Sequence, residues 1–163
     1  MMEKISLSEG DIFLLTPPLK SDPCYACHLI YLSCQTKGLC AYVLSKEPVT
    51  LEPVDLDKVQ FDTSKAIYAS IHFMKWGIWK KLGYRPVLEA EDKLALRNVG
   101  NINLMYRDEI CRKMPSKDYK EEYPLQPVYD LMEVFSVIFG KQYKKEDPRF
   151  LAWANGEIEE RLE

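Results

Sequence analysis

Apolar and polar positions change rhythm along this chain, and each change marks a predicted element. Residues 12–16, 25–33 and 39–44 are short apolar runs rich in aromatic, leucine and β-branched side chains. Pro17-Pro18 and Ser21-Asp22-Pro23 separate the first two runs, and Gln35-Thr36-Lys37-Gly38 separates the last two, with Gly38 able to take the positive φ of a bulged hairpin loop. The pattern predicts an antiparallel meander. Pro48 and Pro53 cannot donate to a ladder, which confines residues 49–56 to an edge or a crossing loop. Residues 66–73 read as a further strand leading into a corner over 76–84, where Gly77 and Gly83 argue against a long helix. Residues 94–105 are ambiguous, and 103–107 read as a short strand.

At Pro127 the period turns helical. Val128, Leu131, Met132, Phe135, Ile138 and Phe139 share one stripe, and Gly140 stands at the C-cap position. A second helix is predicted over 148–162, with Asp147 as N-cap and Pro148 at the first helical position. The predicted fold is α+β: a twisted antiparallel sheet, with an SH3-like half-barrel as its curled extreme, and two C-terminal helices packed on it. The organisation predicted is one domain over 1–163, β-rich over 8–108 and helical over 125–163.

Composition narrows the class. The chain has 163 residues, 47% apolar and 12% aromatic, which excludes disorder. No apolar run approaches the ~20 residues that cross a bilayer, and residues 1–10 have no apolar signal region, so a cytoplasmic protein is expected. Five cysteines are an odd number for a chain without export, which predicts reduced, mostly buried thiols. The net charge of −3 conceals a division. Residues 1–64 carry five basic and nine acidic side chains, residues 65–120 twelve and six, and residues 121–163 five and ten. Acidic ends flank a basic middle.

Candidate chemistry is sparse. Cys24-Tyr25-Ala26-Cys27-His28 matches the C-x-x-C-H pattern of covalent haem attachment. It opens a strand-like run, however, in which thiols three apart diverge, and nothing directs the chain out of the cytoplasm. Zinc held by these residues with Cys34, Cys40 or Cys111 lacks a second closely spaced pair. A cysteine nucleophile would have only His28 or His72 as its base. Phosphate-binding, dinucleotide and nucleophile-elbow motifs are absent. The expectation is a non-enzymatic protein with no cofactor and no metal. The basic segment 75–120 interleaves Lys75, Lys80, Lys81, Arg85, Arg97, Arg107, Arg112, Lys113, Lys117 and Lys120 with Trp76, Trp79, Tyr84, Tyr106 and Tyr119. That is the composition of a single-stranded nucleic-acid groove, the alternative function, although the acidic flanks weigh against it.

Gly10-Asp11-Ile12-Phe13 with its following strand pair, and Trp79-x-x-Leu82-Gly83-x-x-Pro86, resemble the immunity protein 26 family of bacterial polymorphic-toxin and contact-dependent inhibition systems. The resemblance covers about residues 8–90; Leu82 replaces the family's usual isoleucine, and Cys27-His28 stands where small or basic residues are expected. It implies a small β-sheet protein that binds one cognate toxin domain and blocks its active site, with no catalytic residues of its own. If the toxin is a nuclease with a basic cleft, its inhibitor should present carboxylates. Glu47, Glu52, Asp55, Asp57 and Asp62 place five acids within sixteen residues and are the expected partner-binding set, with the acidic tail 157–163 next.

Overall fold

The computed structural model describes residues 4–50, 54–113, 123–140, 147–158 and 160–162. Its strands explain why the apolar runs are continuous rather than alternating. β1 (Asp11–Leu15), β2 (Tyr25–Leu32) and β3 (Leu39–Leu44) are buried along almost their whole length, because both faces of the sheet are covered. β4 (Ile67–Ser70) continues this meander, and β5 (Lys81–Tyr84) returns to the free side of β1. A separate antiparallel sheet holds β6 (Leu96–Val99), β7 (Asn103–Tyr106) and β8 (Glu109–Lys113). β9 (Val128–Tyr129) completes the larger sheet, whose order is β5-β1-β2-β3-β4-β9, mostly antiparallel with one parallel pair at β4–β9. This sheet does not close into a barrel; β5 and β9 are its two edges.

Among the described residues four short α-helices complete the α+β architecture: α1 (His72–Lys75), α2 (Glu89–Asp92), α3 (Glu133–Phe139) and α4 (Pro148–Ala154). Phe135 of α3 and Phe150 and Trp153 of α4 pack with Phe13, Leu29, Tyr42, Phe73 and Trp79 in the core on one sheet face. Ile12, Ile30, Tyr31, Val43, Phe61 and Tyr68 form a second core on the other face, against Leu56, Val59 and Leu94. Ile30 and Tyr31 are sequence neighbours yet share that face. A break in register between Leu29 and Tyr31 on β2 accounts for it, since a bulge turns two successive side chains the same way.

Two helical expectations are corrected. Residues 127–139 do not form one helix: Val128 and Tyr129 pair with Tyr68 and Ala69, and the helix begins only at Glu133. The open edge of β4 offers ladder partners that a surface helix would leave unused. The second predicted helix stops at Ala154 rather than running to 162, and Leu162 bridges Leu19 instead. The caps are where the sequence puts them. Asp147 accepts the Arg149 N–H at 3.0 Å, and Gly140 closes α3 at φ 67°.

The two segments that carry the immunity-protein likeness meet here. Asp11 lies opposite Tyr84, and Ile12 opposite Gly83. Buried Asp11 accepts the Ser8 N–H at 2.8 Å and pairs with Lys81 at 3.0 Å. Gly10 sits at φ 101°, donating to the Leu29 carbonyl at 2.7 Å and accepting from the Arg85 N–H at 2.9 Å. A Cβ there would lie 2.8 Å from the Arg85 carbonyl oxygen and 2.5 Å from the Tyr84 ring. Gly10→Ala is therefore expected to cost about 2–4 kcal/mol in urea unfolding, combining backbone strain and overpacking. Gly100→Ala is the comparison, because that glycine also has positive φ but has nothing within 4 Å of the added methyl. Equal costs at the two positions would show that close packing is not what Gly10 serves.

Candidate functional site

The acidic segment does not act as one patch. Ser45 bridges Phe61, Lys46 N–H donates to the Gln60 carbonyl at 2.8 Å, and Asp62 N–H to the Leu44 carbonyl at 2.8 Å, so the chain ends of this excursion are pinned together. Between them Asp55 caps a 3-10 turn at Leu56–Lys58, accepting the Asp57 N–H at 3.1 Å. The result is a groove of 440 Å³ running between residues 45–50 and 54–60. Glu47 and Asp55 both line it; Asp57 and Asp62 do not. Glu52 lies outside the described residues.

Cations are interleaved with these acids. Lys58 lies 3.9 Å from Asp55, an exposed pair that contributes little to stability. Asp62 accepts the Ser64 N–H at 2.9 Å, and the hydrogen bonds of Ser64, helped by Lys46 and Lys65, hold its carboxyl below the usual range. Two carboxylates, Glu47 and Asp55, and two lysines, Lys46 and Lys58, line the groove. It lies over the second core, since Val49, Leu56 and Val59 pack there, on the sheet face away from α3 and α4.

The C-x-x-C-H motif is split by the sheet. Cys27 points into the core that holds the helices, and His28 is buried on the opposite side. Cys24 precedes β2 and lies 3.5 Å from the Arg161 guanidinium. Burial pushes the Cys27 and Cys40 thiols far up, which keeps them protonated. Among the described residues no three His, Cys, Asp or Glu side chains converge as a metal site.

Both histidines serve structure. His28 Nε2 is 2.7 Å from the Arg85 carbonyl, and Nδ1 is 2.6 Å from Glu91 Oε2. A carbonyl only accepts, so Nε2 carries its proton, and a second proton lies between Nδ1 and Oε2. The other Glu91 oxygen accepts the Leu88 N–H at 2.9 Å, and Phe61 covers the imidazole at 5.2 Å. His72 Nε2 lies 2.6 Å from the Ala154 carbonyl and ties α1 to α4.

Much of the basic middle is consumed in the same way. Arg97 is buried between the Tyr31 and Tyr68 rings, 5.1 and 5.0 Å from their centroids, and donates to the Arg107 carbonyl at 2.9 Å. Arg107, a non-glycine residue at φ 54°, binds Glu9 at 2.7 Å and Asp92 at 2.7 Å. Asp108 accepts the Tyr31 and Ser33 hydroxyls, each at 2.6 Å. These contacts dock the smaller sheet on the larger one. Arg85 donates to the Leu56 carbonyl at 2.7 Å, Lys81 holds Asp11, and Trp79 is core. Lys117, Tyr119 and Lys120 lie outside the described residues. The docking network was not legible beforehand: its partners are up to 98 positions apart, and no local pattern pairs them.

Compared with protein-family models, curated proteins and solved structures, the chain matches none. The likeness to immunity proteins therefore rests on the segments quoted above. No helix among the described residues is long and apolar enough to cross a membrane.

Proposed function

We propose that this chain is an immunity protein: a non-enzymatic, cytoplasmic inhibitor that binds a cognate toxin domain, such as a nuclease with a basic cleft, and covers its active site. The observation that carries the reading is that Glu47 and Asp55, with Lys46 and Lys58 beside them, line one open groove on the sheet face opposite α3 and α4. Carboxylates around a concavity attract a cationic surface and speed encounter with it. Support also comes from both histidines and two of the five thiols being held in structural positions, Cys34 and Cys111 being exposed. His28 and His72 are bonded to carbonyls, and the Cys27 and Cys40 thiols are buried.

The test is a binding and inhibition assay against toxin domains encoded beside this gene. The double substitution Glu47→Lys/Asp55→Lys is expected to weaken binding at least tenfold, mainly through kon, and to flatten its dependence on salt. Unchanged binding by that variant removes the groove as the contact. Failure to bind or inactivate any adjacent toxin domain removes the function.

A further inference from the structure

A second and larger groove, of 690 Å³, opens on the other side of the molecule, where the corner after α1 meets the end of the chain. Ile5, Trp76, Trp153 and Ile158 supply its apolar walls, and among the described residues Lys80 and Arg161 are the charged side chains that line it. Both are cationic. Its size falls within the ~300–1,000 Å³ of small-molecule sites. The walls are aromatic as well as apolar, and an indole face accepts a flat ring system.

The sign is reinforced on the Trp76 side of the groove, while Glu157 and Glu160 flank the Ile158 side in sequence. Lys75 lies 5.6 Å from the centre of the Trp76 ring. Lys4, which precedes the Ile5 of the groove wall, acts on Lys75 and, with Lys37, holds its ammonium below the ordinary value. Like charges gathered beside an aromatic wall repel one another, and an anion at that wall would relieve the repulsion. Arg161 is oriented by backbone carbonyls: Asp22 at 3.2 Å, Lys20 at 3.4 Å and Pro17 at 3.5 Å. Such contacts position the guanidinium without neutralising it. Trp153 is fixed from behind by Phe73 and Phe135, at 5.5 and 5.8 Å between centroids, so one wall of the groove belongs to the rigid core.

We infer that this groove binds a small aromatic anion, its ring system against Trp76 and its carboxylate or sulfonate directed at Lys80 and Arg161. The site lies on the helix side of the larger sheet, so it stands or falls independently of the proposed toxin contact.

The test uses the full chain and two probes of similar shape, 8-anilinonaphthalene-1-sulfonate and the uncharged N-phenyl-1-naphthylamine. The anionic probe is expected to bind at one saturable site, to quench tryptophan emission and to be displaced by 2-naphthoate. Lys80→Glu should weaken it at least tenfold, Lys80→Gln to an intermediate degree, and both should leave the uncharged probe within twofold. Near-ultraviolet circular dichroism establishes that the exposed substitutions keep the native packing. Equal affinity of the wild-type chain for the two probes would overturn the inference. So would an anionic probe indifferent to both substitutions, or one that binds at several sites without saturating the tryptophan signal.

Discussion

Trp79→Ala is expected to lower the unfolding free energy by about 3–5 kcal/mol, the range for deleting a buried aromatic side chain. The indole is 1% exposed and holds several elements together at once. It stacks on Phe73 of α1 at 5.1 Å and 19°, and meets Tyr42 of β3 and Phe135 of α3 edge-on at 5.9 and 6.1 Å. Its Nε1–H donates to the Thr16 carbonyl at 3.0 Å, just beyond β1. Truncation leaves a cavity among rings that cannot all move inward, and it strands that carbonyl. Against a typical total of about 5–15 kcal/mol the loss is large. At about 2–4 °C per kcal/mol it corresponds to a fall in Tm of roughly 6–20 °C. Trp79→Phe keeps most of the stacking and loses the hydrogen bond, so it should cost about 1–2 kcal/mol. Denaturant titration of the three proteins measures both values. A cost under about 1 kcal/mol for Trp79→Ala would contradict the packing described.

The second large effect concerns the His28–Glu91 pair, buried at 0% and 2% of side-chain exposure. Removing one partner of a buried ion pair costs about 3–5 kcal/mol, because the other is left unmatched, and Glu91→Ala should fall in that range. Glu91→Gln should not. A glutamine carbonyl can accept the Leu88 N–H while its amide donates to an uncharged His28 Nδ1, and His28 Nε2–H keeps the Arg85 carbonyl. Its cost is expected to stay near 1 kcal/mol.

The pair also sets part of the pH dependence. Burial pushes the Glu91 carboxyl up, but the bond to His28, the Leu88 N–H and the nearby Arg85 outweigh it and hold the group below its ordinary value. A carboxylate whose folded pKa is depressed adds stability that is present above its unfolded pKa of about 4.3 and is lost as pH falls through the folded value. Asp92, held down first by the Tyr106 hydroxyl, has the same sign. So does Asp108, where the Ser33 and Tyr31 hydroxyls outweigh burial. Stability should therefore decline progressively below about pH 4.5. Glu91→Gln should make that acid decline shallower. An unchanged acid limb in Glu91→Gln would show that this carboxyl gains nothing from its partners.

How much of this was legible follows from the range of the interactions. The meander was readable because turn residues and apolar runs are local signals, and so were the Asp147 N-cap and the Gly140 C-cap. The stretch from Val128 misled because a helical stripe and a two-residue strand use the same apolar side chains. The choice was made by the edge of β4, which lies some sixty residues earlier. The smaller sheet was half visible, as the run at 103–107. Its docking through Arg97 and Arg107 was not, since arginines in a basic segment read as solvated charge until Tyr31, Tyr68, Glu9 and Asp92 are brought beside them. Of the acidic set, the sequence indicated an exposed excursion; only the fold separates Glu47 and Asp55, in the groove, from Asp57 and Asp62 beside it. The groove at Trp76 unites residues from 5 to 161, a span no motif could reveal.

Amide hydrogen exchange of this chain, alone and saturated with the proposed cognate toxin domain, is the decisive measurement. Slowed exchange concentrated over residues 45–62, with 75–113 unchanged, is expected. Protection centred on 75–113, with 45–62 exchanging as in the free protein, would contradict it.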